Sequence, residues 1–214
     1  SSGVTQINIL VGTIIASYES GAVSYLYYAD RIYQINLALA GIAVGTVSLP
    51  VLSKAFKKNN ISTISKIQSK SFELSLLLSL PASASLIIAS DEIVSALFGY
   101  GSFTYESTQL TALALKFFGF GVPAFALIKI LSNFFFARND TKTPFYISSF
   151  TVFLNIFLSL SLFNEYGFII IPIATSISTW TGVLIYMIIL NKKKSLLLQD
   201  YLIRNVIKII LITI

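Results

Sequence analysis

The chain has 214 residues, of which 55% are hydrophobic and only 11% are charged, and its mean hydropathy is +0.81. A water-soluble domain of this size needs a charged shell, and this chain has too few charged residues to form one. It contains no Cys and no His, which excludes disulfides, thiol nucleophiles and imidazole bases. We therefore expect no metal site, no cofactor and no enzymatic activity. The net charge of +6 lies in short loops between apolar runs, which indicates membrane orientation and no nucleic-acid partner.

Apolar runs recur along the whole chain, at lengths near the roughly 20 residues that a helix needs to cross a bilayer. The sequence therefore predicts an all-α, polytopic transmembrane bundle with six full spans and the start of a seventh. Pro81 is expected to kink the third span, and Gly119, Gly121 and Pro123 to weaken the middle of the fourth. The predicted spans cover about 4–18, 25–53, 71–90, 109–137, 144–163 and 168–190, with the seventh starting near 201.

The loops between these spans alternate in charge. Three of them are basic, and they carry Lys54, Lys57, Lys58, Lys66 and Lys70, then Arg138 and Lys142 around Asp140, then Lys192, Lys193 and Lys194. The loops between them carry only acidic charges, at Glu19, at Asp91, Glu92 and Glu106, and at Glu165. By the positive-inside rule, the basic loops and the N-terminal end of the chain are expected in the cytoplasm.

Two of the loops are expected to contain structure of their own. Residues 91–98 are predicted to form a short amphipathic helix on the outer surface, ended by Gly99 and Gly101. Thr143 is predicted to cap the fifth span, with Pro144 at its first helical position.

The second span carries two charges, Asp30 and Arg31, about five residues inside its expected outer end, or about 8 Å along the axis. A charge in the membrane core costs on the order of 2.5–3.5 kcal/mol, and less near the interface. Adjacent residues do not face each other on a helix. Each charge is therefore expected to need a partner on another span, a water-filled cavity or a ligand.

One face of the second span changes character along its length. Helical spacing places six residues on this face, polar in the outer half and small in the inner half: Tyr27, Arg31, Gln34, Ala38, Gly41 and Gly45. Two small residues four positions apart allow another helix to approach closely. The inner half is therefore predicted to pack tightly, and the outer half to be polar.

Two interpretations of Arg31 follow from the residues alone. In one, Arg31 extends to the interface and Asp30 bonds to a neighbouring helix. In the other, Arg31 is a cavity cation that binds an anionic substrate, because its planar fork suits phosphate. Lys129 lies about nine residues from the inner end of the fourth span. It likewise has two interpretations, a structural ion pair or a cavity role. Lys116 can reach the outer interface.

Three segments resemble the MurJ/MviN family of lipid II flippases. Residues 24–31 read SYLYYADR, similar to the family's S-x-x-Y-Y-A-D-R. Residues 41–53 read GIAVGTVSLPVLS, similar to G-I-A-x-G-T-x-x-L-P-x-L-S. Residues 136–144 read FARNDTKTP, similar to Y-A-R-x-D-T-K-T-P. The three motifs occur in the family's order and at compatible spacing.

The resemblance implies a transporter of the multidrug/oligosaccharidyl-lipid/polysaccharide exporter superfamily, with two six-helix lobes and two further helices. Residues 1–190 are expected to form the C-terminal lobe, and 191–214 a basic cytoplasmic linker and the start of an additional helix. The implied partners are lipid II, membrane lipids and the N-terminal lobe of the same protein. The implied location is the bacterial cytoplasmic membrane.

The resemblance also implies a set of substrate-binding residues. Arg31 matches the arginine that this lobe contributes to a central cationic cavity, and Asp30 matches the carboxylate beside it. Lys129 falls where relatives also carry Lys, and Gln34 falls where some carry Glu. Tyr27 completes the expected set.

The expected function is flipping of lipid II by alternating access. Two alternatives remain at this stage: another exporter of the same superfamily, which moves a polysaccharide-lipid or a cationic drug, and an assembly module that transports nothing. An acidic cavity favours the drug exporter, and packed apolar side chains closed around Arg31 favour the assembly module.

Overall fold

The structure is a computed structural model that describes the backbone of residues 2–199 and 201–213, and side-chain surroundings from residue 6 onward. The described residues form α-helices joined by short connections, and they contain no strand. The all-α bundle predicted from the apolar runs is confirmed. In chain order the α-helices are α1 (Ser2–Ala16), α2 (Ala22–Leu37), α3 (Val44–Lys57), α4 (Ile61–Ile88), α5 (Ser90–Phe98), α6 (Tyr105–Gly119), α7 (Val122–Phe136), α8 (Lys142–Tyr166), α9 (Ile170–Lys192) and α10 (Tyr201–Thr213).

Three continuous helical stretches are long and apolar enough to cross a membrane: Ala22–Lys57, Ile61–Ile88 and Lys142–Lys192. The pair α6 and α7, bent by 41°, forms a fourth. The longest stretch folds back on itself, because Asn155 Nδ2 of α8 donates to Thr175 Oγ1 of α9 at 2.9 Å. The reversal lies at Gly167, whose φ is 60°. Glu19 of the first loop holds this turn, since its Oε2 accepts from Phe168 N at 2.7 Å.

The middle of the second span is a π-helical segment, Ala38–Ala43, between α2 and α3. A π-turn contains an extra residue and therefore shifts the helical register. Regular spacing from the buried residues of α2 would bury positions 44, 47 and 51, whereas α3 buries Gly45, Ser48 and Leu52. The prediction of a single face from Tyr27 to Gly45 is therefore wrong, because the π-turn rotates the inner half relative to the outer half.

The close approach predicted at the two glycines is confirmed. A Cβ atom on Gly41 would lie 3.2 Å from Ala126 Cα of α7, and one on Gly45 would lie 3.1 Å from Asn133 Nδ2. Asn133 Nδ2 also donates to the backbone carbonyl of Gly45 at 2.7 Å. The inner half of the second span is thus fixed against α7.

The third and fourth spans each contain residues that were expected to disturb the helix. Pro81 lies inside α4, which continues as one helix from Ile61 to Ile88, so the kink expected there stays a prediction. The fourth span is broken after Gly119, and it packs there against α4, because Ser83 Oγ donates to the carbonyl of Gly119 at 2.8 Å. A side chain on Gly119 would meet Leu86 Cβ at 3.1 Å.

The short helix expected in the third loop is confirmed as α5, which Gly99 follows directly. The predicted cap of the fifth span is wrong, because α8 begins at Lys142, one residue before Thr143. Asp140 acts in its place: its two carboxylate oxygens accept from Thr143 N at 3.0 Å and Thr143 Oγ1 at 2.8 Å. The two oxygens of a carboxylate can accept both bonds at once.

The bundle has two apolar cores, one toward each end. The core at the end with the acidic loops, here called the acidic end, includes Ile15, Leu115 and Phe168. The core at the end with the basic loops, here called the basic end, includes Leu52 and Phe134. The charged part of the second span lies beside the first of these cores, on a helix whose other face is buried.

Candidate functional site

The candidate site lies on α2, where four of the five predicted binding residues occur within two helical turns. We call these four residues the Arg31 cluster: Tyr27, Asp30, Arg31 and Gln34. Tyr27, Arg31 and Gln34 are exposed on the bundle surface, and Asp30 is half-buried. Arg31 is nine residues after Ala22, the first residue of α2, which places it about 13 Å along the helix. Arg31 therefore lies farther from the start of its helix than predicted, because α2 starts before residue 25.

Both contacts inside the Arg31 cluster join residues four positions apart on the same helix. The guanidinium carbon of Arg31 lies 4.7 Å from the centre of the Tyr27 ring. Gln34 Nε2 donates to a carboxylate oxygen of Asp30. Asp30 thus has a partner that the sequence did not predict, one turn along α2, and the expected partner on another span, cavity or ligand stays a prediction.

The opposite face of α2 is packed and sets the direction of the cluster. Tyr33 is buried and stacks on Phe118 of α6, with ring centres 5.2 Å apart. Its ring also meets Phe125 of α7 at 5.3 Å. Nearer the acidic end, Tyr28 contacts Phe98 of α5 with ring centres 4.8 Å apart. These aromatic contacts fix the rotation of α2, so that Arg31 faces away from the bundle.

The exposed guanidinium of Arg31 forms no salt bridge within the described part of the chain. An Arg side chain offers planar, paired donors that match the oxygens of a phosphate group. Such charge-assisted hydrogen bonds are about twice as strong as neutral ones. The geometry of the Arg31 cluster therefore suits an anionic group that carries several oxygens.

The fifth predicted residue, Lys129, is separate from the cluster. It is exposed on α7, and its Cγ would lie 3.4 Å from a Cβ atom on Gly41. Gly41 is ten residues beyond Arg31 on the second span, or about 15 Å along a regular helix. No salt bridge of Lys129 occurs among the described residues, so the structural ion pair considered from the sequence is not seen there.

The sequence did not predict a polar network at the basic end, where the segment 193–199 crosses the ends of several helices. We call this segment the strap. Gln68 of α4 is fully buried, and its Nε2 donates to the carbonyl of Ser195 at 3.2 Å. Its Oε1 accepts from Leu197 N at 2.8 Å. Arg138, after α7, also donates to the Ser195 carbonyl, at 2.8 Å.

Three further contacts complete this network. Arg138 stacks over the Phe56 ring at 4.5 Å. Lys193 Nζ lies 3.1 Å from Asp140 Oδ2. Gln199 N donates to Ser69 Oγ at 2.8 Å. We call the whole network the basic-end clasp, and its central members are Gln68, Arg138, Asp140, Lys193 and Ser195. The motif at 136–144 contains two of these residues, but nothing in the sequence indicates their partners in the strap.

The ionisable groups of the clasp respond to these contacts. The backbone N–H of Thr143 bonds to Asp140 and, with smaller contributions from the Thr143 hydroxyl and Lys193, lowers the pKa of the Asp140 carboxyl. Burial lowers the pKa of the Arg138 guanidinium from its ordinary value, but this group remains charged at any physiological pH. The clasp therefore contains charges that bond to other parts of the chain.

Among the described residues, two surface hollows have no residue of the Arg31 cluster in their lining. One, of about 440 Å³, is mostly apolar and lies where the α6–α7 break meets α9, near Trp180. The other, of about 420 Å³, lies beside α5 and includes Asp91 and Glu92. Among the described residues no group of three or more Asp or Glu side chains is placed to hold a metal ion. The candidate site is thus an open helix face.

Comparisons with known proteins show the family to which the chain is similar. The family model described as "Lipid II flippase MurJ" matches residues 1–214. A probable lipid II flippase MurJ of Rhizobium meliloti (strain 1021) is 44% identical over 185 residues, which cover 86% of this chain and 35% of that protein. The corresponding protein of Rickettsia prowazekii (strain Madrid E) is 43% identical over 180 residues, which cover 84% of this chain and 36% of that protein.

A solved structure, described as lipid II flippase MurJ in an inward closed conformation, has the same fold. It superposes with a TM-score of 0.85 at 30% identity, and the match covers 98% of this chain and 43% of that one. The chain therefore spans between about a third and a half of the length of these relatives. With a multi-pass apolar bundle and a family match over its whole length, the chain belongs to the lipid II flippase MurJ family.

Proposed function

We propose that this chain is the C-terminal lobe of a flippase that moves lipid II across the bacterial cytoplasmic membrane. Residues 1–190 form the lobe, and residues 191–214 form a basic cytoplasmic linker and the start of an additional helix. The observation that carries the proposal is Arg31, a charge exposed on the open face of a membrane-spanning helix and held there by packing on the other side. The names of the relatives support lipid II as the substrate.

In this proposal the Arg31 cluster binds the diphosphate of the substrate. Arg31 donates to the phosphate oxygens, and the ring of Tyr27 holds the guanidinium in place. Gln34 restrains the Asp30 carboxylate, which keeps this negative charge bonded and away from the anionic ligand. Lys129, farther along the open face toward the basic end, contacts a different part of the headgroup.

The lobe acts together with the N-terminal lobe of the same protein. Rocking of the two lobes exposes the headgroup first to the cytoplasm and then to the outside, while the polyprenyl tail stays in the lipid. The alternation of basic and acidic loops supports a cytoplasmic N-terminal end for this chain. Moving one charge across the membrane potential is worth about 2.3 kcal/mol per 100 mV, so cavity cations can couple transport to the potential.

The exposure of Arg31 in this chain supports the proposal over a non-transporting assembly module. Such a module would close apolar side chains around the guanidinium, whereas here its neighbour is an exposed tyrosine ring. The comparisons favour lipid II over another exported substrate, because the curated relatives described above are named as lipid II flippases. We therefore propose transport, with no catalytic reaction.

The test is surface exposure of lipid II in cells that depend on the complete protein for flipping. Arg31→Ala is expected to abolish most flipping, and Arg31→Lys to restore only part of it, because Lys lacks the planar fork. Lys116→Ala, an exposed cation on α6, is the matched control and should flip normally. Normal flipping by a stably inserted Arg31→Ala protein would contradict the proposal.

A further inference from the structure

Contacts with α4 fix the rotation of α10. Leu202 and Ile209 are buried, seven residues apart on one face of α10. Asn205, near the same face, donates from Nδ2 to Glu73 Oε1 at 2.9 Å. The opposite face carries Arg204 and Lys208, and both are exposed. These two cations therefore point away from the bundle along the first two turns of α10.

The depth of the two cations is set by the strap. Since α10 begins at Tyr201, directly after the clasp, Arg204 lies about 4.5 Å and Lys208 about 10.5 Å along its axis. At these depths a long basic side chain reaches the headgroup layer, while a charge left in hydrocarbon is costly. The guanidinium of Arg204 and the ammonium of Lys208 are thus expected at the level of the lipid phosphates.

Arg204 and Lys208 are four positions apart, so two like charges lie next to each other on one helix face. Such pairs are destabilising in isolation. Glu73, the described carboxylate that α10 contacts, is already bonded to Asn205. In the sequence, Lys208 has no carboxylate one turn away in either direction, whereas Arg204 follows Asp200, which lies outside the described residues. An external anion that contacts both cations would remove their repulsion.

We propose that Arg204 and Lys208 form a binding site for the phosphate group of an anionic phospholipid in the leaflet at the basic end. Basic residues beside a membrane-spanning helix attract anionic lipids. Lys192 and Lys194, exposed at the end of α9, add to the positive field at this end. The site faces away from the bundle and lies on a different helix from the Arg31 cluster, which favours a resident lipid over the transported one.

The experiment is native mass spectrometry of the purified protein, released from nanodiscs that contain equal amounts of phosphatidylglycerol and phosphatidylcholine. Arg204→Gln/Lys208→Gln is expected to lower the retention of phosphatidylglycerol about tenfold, equivalent to about 1.4 kcal/mol, with phosphatidylcholine unchanged. Lys208→Gln alone is expected to give a smaller loss in the same direction. Lys116→Gln is the matched control and should retain lipid as the unmodified chain does. An unchanged unfolding temperature shows that the variants are folded.

Two results would overturn the site. Equal retention of phosphatidylglycerol by the double variant and the unmodified chain would mean that the cations bind no lipid phosphate. A loss of added polyprenyl diphosphate, with phosphatidylglycerol retention unchanged, would assign the cations to the transported substrate and not to a resident lipid. A selective loss of phosphatidylglycerol, with polyprenyl diphosphate binding intact, supports the proposal.

Discussion

The Arg31 cluster and the basic-end clasp both concentrate polar and charged side chains in an apolar bundle, but their contacts differ in kind. The cluster's two contacts join residues on one helix and leave the charged groups accessible. The clasp's contacts join α4, the α7–α8 turn and the strap, and they are partly buried. The difference indicates that the clasp stabilises the fold, whereas the cluster is available to bind another molecule.

The expected energies follow the same division. Exposed pairs four residues apart contribute about 0.2–0.5 kcal/mol, and an exposed cation–π contact about 0.5–1 kcal/mol. A buried polar group that loses its partner costs about 1–3 kcal/mol. Mutations in the clasp should therefore lower stability, and mutations in the cluster should leave stability nearly unchanged.

The largest loss of stability is expected for Gln68→Leu. The change leaves the Ser195 carbonyl with one partner fewer and the Leu197 N–H with none, which should destabilise the protein by about 2–3 kcal/mol. Denaturant unfolding in detergent measures the effect, and hydrogen exchange should speed up at residues 195–199. Lys66→Leu, an exposed position on the same helix, is the control. A loss no larger for Gln68→Leu than for this control would show that the strap is not held by α4.

A smaller loss is expected for Arg138→Lys. Lysine keeps the charge but loses the planar group that stacks over Phe56 and bonds to Ser195. The expected destabilisation is about 1 kcal/mol, with faster hydrogen exchange in the strap. The matched change Lys142→Arg, at an exposed site in the same turn, should have little effect. Unchanged exchange in the strap of Arg138→Lys would argue against the clasp.

A still smaller loss of stability is expected when the pH is lowered. Because the pKa of Asp140 is lowered in the folded state, its stabilising contribution is complete above the ordinary Asp pKa of about 3.9. It is lost as the pH falls through the lower, folded-state pKa. Asp140→Asn should lose this part of the pH dependence below about pH 4, measured as the difference in unfolding temperature between pH 7 and pH 3. An identical pH profile in the variant would show that Asp140 is not stabilised in its charged form.

The smallest loss of stability, under about 0.5 kcal/mol, is expected for Arg31→Ala. This change removes an exposed contact and also takes the charge out of the span. Tyr27→Leu should act similarly, since the ring is exposed. The same denaturant measurement applies, with Gln68→Leu as the internal comparison. A loss for Arg31→Ala as large as that for Gln68→Leu would place Arg31 among the structural residues and remove the contrast between the two regions.

The sequence predicted the parts of this fold that depend on hydropathy and local spacing. The span order, the helix α5 and the close approach at Gly41 and Gly45 follow from apolar runs, amphipathic spacing and small residues. The sequence also drew attention to Arg31, because few charges lie within the spans, but it left the role of this residue open.

The parts that depend on three-dimensional contacts were not predicted. The amino-acid composition of the π-turn at Ala38–Ala43 does not distinguish it from a regular helix. The partners of Gln68 in the strap are about 130 residues away, a distance that local patterns do not cover. From the sequence, Thr143 is as suitable a capping residue as Asp140. Only the position of the helix start shows that Asp140 caps α8.

The most direct test of the central claim is lipid II binding by Arg31→Ala and Gln68→Leu, measured together with the unfolding temperature of each protein. The account predicts that Arg31→Ala binds roughly ten- to a hundredfold more weakly, as expected for the loss of charge-assisted bonds, and unfolds at the temperature of the unmodified protein. Gln68→Leu should unfold earlier and, while folded, bind normally. Undiminished binding by Arg31→Ala, or weakened binding by folded Gln68→Leu alone, would contradict the assignment of the two regions.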